Sequence, residues 1–176
     1  MLSHQNHREL LQPLRQSMVD FDLAQVEAVM SRLFSEEAIL QLAYPFETMS
    51  SPARYCNEAY GSLLRAFPDL ERRDTIVIAG TAGNSADWVG CAGYYTGTFV
   101  QPWLNIPPTG HQASLRFHEF YRFENQQVVE LQAIWDIPEL MMQAGAWPMA
   151  PSLGREWHVP GPATQDGIHT LSLIHI

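Results

Sequence analysis

The hydrophobic period of the chain changes at Pro68. Before Pro68 the apolar residues recur every three or four positions, which is the period of a helix, and after it they alternate with polar residues, which is the period of a strand. A chain that places its helices before a run of strands is typical of the α+β class, in which helices pack on an antiparallel sheet. The sequence therefore predicts one curved antiparallel sheet wrapped over three N-terminal helices.

The three N-terminal helices are predicted from spacing and from capping residues. Apolar residues at helical spacing over residues 10–34 predict two of them. Asp22 with Gln25 three positions later resembles a capping box, which places the start of the second helix there, and Pro13 is expected in a first turn or at a kink. The third helix, over residues 51–67, has a serine cap and a proline in its first turn.

Five strands and a closing helix are predicted from the alternation and from the turn residues. A short strand is expected over Ala38 to Ala43, ahead of the third helix. The four later strands are predicted at Glu71 to Ala79, Asp87 to Phe99, Gln112 to Phe123 and Gln127 to Trp135. Because they follow one another through turns, they predict an antiparallel meander. A short helix, Pro138 to Ala144, is expected to close the domain at Gly145.

The chain divides into three predicted segments. Residues 1–146 form the domain, and residues 147–170 are rich in proline and glycine with little periodic pattern, which is typical of a linker or an arm. Residues 171–176 read LSLIHI, the in-frame translation of a transposase end sequence used to prepare sequencing libraries, and we interpret them as an artefact. A genuine apolar tail is the alternative. The artefact would mean that the natural protein continues beyond Thr170.

Composition excludes several classes of function. The chain has 19 acidic and 10 basic residues and a formal charge of −9, so neither nucleic acid nor an anionic membrane is an expected partner. All the basic residues are arginine, which excludes Schiff-base chemistry and a phosphate-binding loop that ends in lysine. Cys56 and Cys91 are expected to be free thiols in the core. With no apolar run of about 18 residues and a polar N-terminus, a cytoplasmic location is predicted.

Four stretches of sequence resemble a known family. They are AFPDLERRD (Ala66 to Asp74), GYYTGTF (Gly93 to Phe99), NIPPTG (Asn105 to Gly110) and VVELQAIWDIPELMMQAG (Val128 to Gly145). In this order and spacing they resemble the SnoaL-like polyketide cyclases of the nuclear-transport-factor-2-like superfold, over roughly residues 7–146. The resemblance implies a cone-shaped fold with an apolar pocket and a homodimer formed through the outer sheet face. It also allows a second SnoaL-like domain that is missing from this chain.

The resemblance also implies a reaction and a catalytic residue. In characterised cyclases an aspartate on the last strand is the general acid and base of an aldol closure that needs no metal or cofactor, and Asp136 occupies that position. The chain departs from the family at Tyr95, where a histidine is common, and at Gln132, where a tryptophan is usual. The predicted function is a cofactor-independent cyclase or isomerase that acts on a small apolar carbonyl compound. The alternative is a non-catalytic small-molecule-binding or dimerisation module.

Asp136 and His118 are the predicted catalytic residues, each with a structural alternative. Strand alternation puts Asp136 on the same face as Gln132 and Ile134. If that face lines the pocket, desolvation raises the pKa of the carboxylate and suits it to proton transfer. Asp136 and Glu139 also form a capping box, so a helix cap is the alternative. His118, on the strand expected to pair with the last one, is the predicted partner, with a packed core histidine as its alternative.

The predicted substrate-binding residues are Tyr95, Trp88, Tyr44, Arg116 and Gln132. Aromatic side chains can stack on a flat ligand, with packing in the core as the alternative. An arginine can hold an enolate or a carboxylate, with a solvated position on the surface as the alternative. No metal site is predicted, because the histidines lack a third ligand in any known pattern. A third hypothesis is an epoxide hydrolase of the same superfold, which needs an arginine between two acids; Asp136 and Arg116 would serve, without an evident second acid.

Overall fold

Four of the five α-helices precede the four long strands in the computed structural model of the protein, which describes residues 2–83, 85–150, 161, 164 and 165. The N-terminal part contains α1 (Leu2–Ser17), α2 (Leu23–Leu33), β1 (Phe34–Leu42), β2 (Glu47–Met49), α3 (Pro52–Tyr55), a π turn (Cys56–Tyr60) and α4 (Gly61–Ala66). The later part contains β3 (Glu71–Thr81), β4 (Asp87–Thr98), β5 (Gln112–Glu124), β6 (Gln127–Trp135) and α5 (Ile137–Gln143).

The predicted helix caps are confirmed. The Asp22 carboxylate accepts hydrogen bonds from the backbone amides of Ala24 and Gln25 at 3.0 and 3.3 Å, so α2 begins where the capping box predicts. Ser51 caps α3 by accepting from a backbone amide of the first turn. Pro13, by contrast, lies inside α1 and not in its first turn, because α1 begins well before the apolar spacing becomes regular.

The four long strands form the predicted antiparallel meander, but the complete sheet is mixed. The strand order is β2-β1-β6-β5-β4-β3, with β1 parallel to β6 and antiparallel to the short β2. The prediction of a purely antiparallel sheet is therefore wrong at β1. The alternation of apolar and polar residues within a strand shows which side chains share a face. It does not show whether a strand distant in sequence pairs in a parallel or an antiparallel direction.

The helices cover one face of the sheet, which we call the inner face, and the space between them is the interior. On the two central strands the inner face carries Phe117, Glu119 and Tyr121 of β5 and Leu131, Ala133 and Trp135 of β6, all buried. Tyr60 of the π turn stacks on Trp135 from the helical side. Neighbouring positions such as Ile134 point to the opposite, outer face.

Both cysteines are buried free thiols, as predicted. Burial raises the pKa of Cys56 and of Cys91 to about 12, so both thiols are protonated at neutral pH and pack as small apolar groups. Within the described residues no helix is long and apolar enough to cross a membrane.

Candidate functional site

A carboxylate lies at the centre of the interior. Glu119 is fully buried on the inner face of β5. Its Oε2 accepts hydrogen bonds from Arg72 Nη1 and from the Tyr121 hydroxyl, each at 2.6 Å, and its Oε1 accepts from the Tyr95 hydroxyl at 2.7 Å and from Trp135 Nε1 at 3.1 Å. An ionised carboxylate accepts hydrogen bonds and donates none, so four converging donors match that form. We call these five residues the interior cluster.

Arg72 connects the interior cluster to a second carboxylate nearer the surface. Its Nε and Nη2 atoms donate to Asp74 Oδ1 at 3.1 and 3.0 Å, and Arg15 Nε of α1 donates to Asp74 Oδ2 at 2.9 Å. Burial would lower the pKa of Arg72, but the carboxylates of Asp74 and Glu119 outweigh it and raise that pKa well above its usual value. Arginine and carboxylate therefore alternate from α1 into the interior.

Asp74 should make the stability of the protein fall in acid. Burial tends to raise the pKa of Asp74, but Arg72 and Arg15 outweigh it and hold that pKa below its usual value of about 4. A carboxylate with a lowered folded-state pKa stabilises the fold above the unfolded-state value and loses this contribution as pH falls through the folded-state value. Asp74→Asn should lose about 2 kcal/mol at neutral pH and progressively less as the pH falls below about 4, measured by urea unfolding at neutral and at acid pH. An equal loss at both pH values would contradict this role.

Gln165 of the predicted arm contacts the same charged chain. Its side-chain amide donates to the backbone oxygen of Asp74 at 2.8 Å and accepts from Arg15 Nη2 at 3.2 Å. It lines a polar cleft of about 470 Å³ between α1 and β3. The predictions for residues 147–170 and 171–176 otherwise lie largely outside the described residues, so they stay predictions.

Aromatic rings connect the interior cluster to the surface. The ring of Trp135 lies 5.8 Å from that of Tyr60, 5.4 Å from that of Tyr95 and 6.3 Å from that of Trp103, centroid to centroid. Phe46, which is partly exposed, contacts both Trp103 and Trp135 with centroids 6.0 Å away. The rings provide flat apolar walls that a planar ligand can contact.

Asp136 lies just after β6 and caps α5. Its Oδ1 accepts from the backbone amide of Glu139 at 3.1 Å, which is the capping-box alternative predicted for this residue. Partial burial and the negative charge of Asp136 raise the pKa of Glu139. The contacts do not test whether Asp136 also transfers protons, so its catalytic role stays a prediction.

The other predicted site residues are not brought together with Tyr95, which is in the interior cluster. His118 is exposed on the outer face of β5, opposite Ile134 of β6. Arg116 shares that face and lies with its guanidinium carbon 5.9 Å from the centroid of the Tyr94 ring. Tyr44 lies in the turn after β1 and is 81% exposed.

Trp88 and Gln132 do lie together, but on the outer face. They line an apolar cavity of about 490 Å³ with Ile78, Gly90 and Phe120 among its other walls. The exposed Ile134 extends this apolar surface along β6. The predicted residues are thus divided between the interior and the outer face of the same sheet.

Sequence reasoning missed Glu119 and Arg72. A signal for Glu119 was present, because Ala113, Leu115, Phe117 and Tyr121 alternate in register with it and all are apolar or aromatic. An acidic residue at an apolar position of a strand has to be paired when it is buried. Arg72 lies in one of the four family stretches, Ala66 to Asp74, where the sequence does not distinguish it from the neighbouring Arg73 as that partner.

Comparisons with known proteins agree with this fold. The family model described as SnoaL-like polyketide cyclase matches residues 14–144. Within the part of the chain that the structure describes, no three His, Cys, Asp or Glu side chains are grouped as metal ligands. No match was found among curated protein sequences.

Solved structures with the same fold come from several bacteria. AclR, a proposed hydroxylase of Streptomyces galilaeus, superposes with a TM-score of 0.67 at 21% identity, covering 84% of this chain and 90% of its own. IdmH, a proposed polyketide cyclase of Streptomyces antibioticus, superposes with a TM-score of 0.62 at 16% identity, covering 79% of this chain and 98% of its own. A proposed SnoaL-like polyketide cyclase of Jannaschia sp. CCS1 superposes with a TM-score of 0.60 at 18% identity, covering 79% of this chain and 93% of its own. The match of the family model over most of the chain shows that the protein belongs to the SnoaL-like polyketide cyclase family.

Proposed function

We propose that this protein is a cofactor-independent enzyme of the cyclase or isomerase type, which binds a small apolar carbonyl compound in its interior. The observation that carries the proposal is the buried Glu119 carboxylate among aromatic rings. Apolar walls that exclude water and donors that fix its orientation would position such a carboxylate to take a proton from carbon. Family membership supports the same class of reaction.

The proposed chemistry is an enolisation followed by bond formation or proton return. The carboxylate takes a proton from the carbon next to a carbonyl group, and the electron pair of the broken C–H bond moves onto the carbonyl oxygen. In a cyclase the enolate carbon then attacks a second carbonyl of the same molecule, and the proton passes to the new alkoxide. In an isomerase the proton returns to a different carbon. Neither sequence consumes an oxidant or a reductant.

Glu119 is the proposed proton acceptor, and Asp136 is the one predicted from sequence. The proposal favours Glu119 because its carboxylate is fully buried in the interior, against the aromatic rings. Arg72, Tyr95, Tyr121 and Trp135 would orient the carboxylate, and one of the neutral donors would give way as the proton is taken.

Two observations favour other functions. All the hydrogen bonds to Glu119 come from within the protein and Asp136 caps a helix, which suits a binding module without catalysis. Arg72 also lies between the carboxylates of Asp74 and Glu119, the acid-arginine-acid order that hydrolysis of an epoxide needs. That reaction also needs one of the two acids to be protonated, which the pairing of both carboxylates with Arg72 disfavours.

A flat bicyclic ketone, β-tetralone, tests the enzymatic proposal. The protons between its aromatic ring and its carbonyl exchange with deuterium oxide through the enolate, which NMR follows directly. The protein should accelerate this exchange by about 100-fold or more over buffer, as general-base catalysis typically does. If the protein binds the ketone but the exchange stays at the buffer rate, the result would favour the binding module.

The outer face is the proposed surface of a homodimer. Ile78, Phe120 and Ile134 are 46%, 42% and 62% exposed there, and they form an apolar surface of the kind that protein contacts cover. Ile134→Glu should therefore convert a dimer to a monomer in sedimentation experiments at micromolar concentration. Val19→Glu, at an exposed apolar residue after α1, is the control and should leave the mass unchanged. A wild-type protein that sediments as a monomer would refute the dimer.

A further inference from the structure

The π turn between α3 and α4 controls where two tyrosines point. Tyr55 ends α3 and Tyr60 ends the π turn, five positions later. In a regular α-helix, side chains five residues apart diverge by about 140° around the axis. The Gly61 amide instead bonds to the Cys56 oxygen, five residues back, so the turn is wider. Both tyrosines then face the interior, with ring centroids 5.1 Å apart. Such single π turns are frequent at functional sites.

The hydroxyls of Tyr55 and Tyr60 are fully buried, and among the described residues neither has a hydrogen-bond partner within normal geometry. The two hydroxyls interact weakly with each other, because burial raises the pKa of Tyr55 and Tyr60, as a hydrogen-bonding group, offsets part of that rise. Both lie in the field of the Glu119 carboxylate. A buried hydroxyl without a partner destabilises a fold, because it has lost its hydrogen bonds to water. This protein nevertheless has two such hydroxyls side by side, although phenylalanine at either position would fill the same space without the destabilising hydroxyl.

We infer that the Tyr55 and Tyr60 hydroxyls form a donor pair for the carbonyl oxygen of a planar apolar ligand bound in the interior. This inference rests on the proposed function and names the group that holds the substrate oxygen. Two hydroxyls aimed at one oxygen bind an enolate more strongly than a ketone, because negative charge accumulates on that oxygen.

The surroundings fit an aromatic or conjugated ketone. Tyr60 stacks on Trp135, whose indole N–H bonds to the Glu119 carboxylate, so the hydroxyl pair and the carboxylate lie against the same ring. A flat ligand on this ring could present its carbonyl oxygen to the tyrosines and the adjacent carbon to the carboxylate. Burial raises the pKa of both tyrosines well above its usual value, which keeps them protonated as donors.

Stability of the free protein provides the first test. Tyr55→Phe and Tyr60→Phe remove only an unpartnered hydroxyl, so each variant should unfold at the same urea concentration as the wild type or a higher one. Tyr121→Phe is the matched control, because its hydroxyl donates to Glu119 at 2.6 Å, and it should unfold at a lower concentration. A drop for Tyr55→Phe or Tyr60→Phe as large as that of the control would show a partner in the free protein and overturn the inference.

The carbonyl stretch of bound β-tetralone provides the second test. With a carbon-13 label at the carbonyl, the infrared band of the bound ketone should lie at lower wavenumber than in an apolar solvent. Tyr60→Phe should reverse part of this shift in wavenumber. The double variant, which combines Tyr55→Phe with Tyr60→Phe, should reverse all of it. Absence of any shift in the wild type, or a full shift in the double variant, would overturn the donor pair.

The two proposals can fail separately. A shifted carbonyl band that depends on the tyrosines, without accelerated deuterium exchange, would keep the donor pair and refute the enolising enzyme. Accelerated exchange with an unshifted band would keep the enzyme and refute the donor pair.

Discussion

Replacing Arg72 with methionine should lower the free energy of unfolding by about 3–5 kcal/mol. The substitution keeps much of the side-chain volume but removes the guanidinium that pairs with Glu119 at 2.6 Å and with Asp74 at 3.0 Å. The Glu119 carboxylate would then remain buried without its charged partner. Such a loss is a large fraction of the stability of an ordinary domain, so the variant should be studied in urea at low temperature.

Arg73→Met is the matched control for this prediction. Arg73 is the next residue of β3, but it is exposed and its partner is the exposed Glu71, so its loss should cost less than about 1 kcal/mol. Adding Glu119→Gln to Arg72→Met should recover part of the loss, because it removes the unpaired charge. Similar losses for the two arginines would show that the buried pair does not stabilise the fold.

Glu119→Gln should slow deuterium exchange of β-tetralone by about 100-fold or more, towards the buffer rate, because it removes the proposed general base. Asp136→Asn should change the rate by less than about 3-fold, since asparagine also caps helices well. Near-ultraviolet circular dichroism at the assay temperature checks that Glu119→Gln is folded. Glu119→Asp, which keeps a carboxylate, should retain part of the rate. The opposite result, with loss in Asp136→Asn alone, would establish the residue predicted from sequence.

Strand positions were predictable because alternation is a local signal. The four long strands lie within two residues of their predicted bounds, and Gly145, at a φ of 65°, ends α5 as expected of a glycine after a helix. The turn at Asn125 and Gln126 uses two positive φ angles, 47° and 67°, which Asn-Gly would have signalled more clearly. Local chemistry thus predicted most of the elements. It did not predict the short β2, the start of β1 at Phe34 or the parallel pairing of β1 with β6.

The site was less predictable because it depends on which face of the sheet is covered. Alternation correctly grouped His118 with Arg116, and Gln132 with Ile134, but the helices cover the opposite face of both strands. A single position along the strand therefore separates the predicted His118 from the buried Glu119, and the predicted Gln132 from the buried Ala133. The π turn had no sequence signal at all, since residues 51–67 have the spacing of one regular helix.

The most direct test of an interior ligand site compares two tryptophans. The Trp135 indole N–H bonds to Glu119 in the interior, whereas Trp88 lines the cavity on the outer face. Titration of the nitrogen-15-labelled protein with β-tetralone should shift the Trp135 indole signal and leave that of Trp88 in place, with Trp135→Phe and Trp88→Phe identifying each signal. A shift of the Trp88 signal with Trp135 unchanged would place the ligand on the outer face and contradict the interior site.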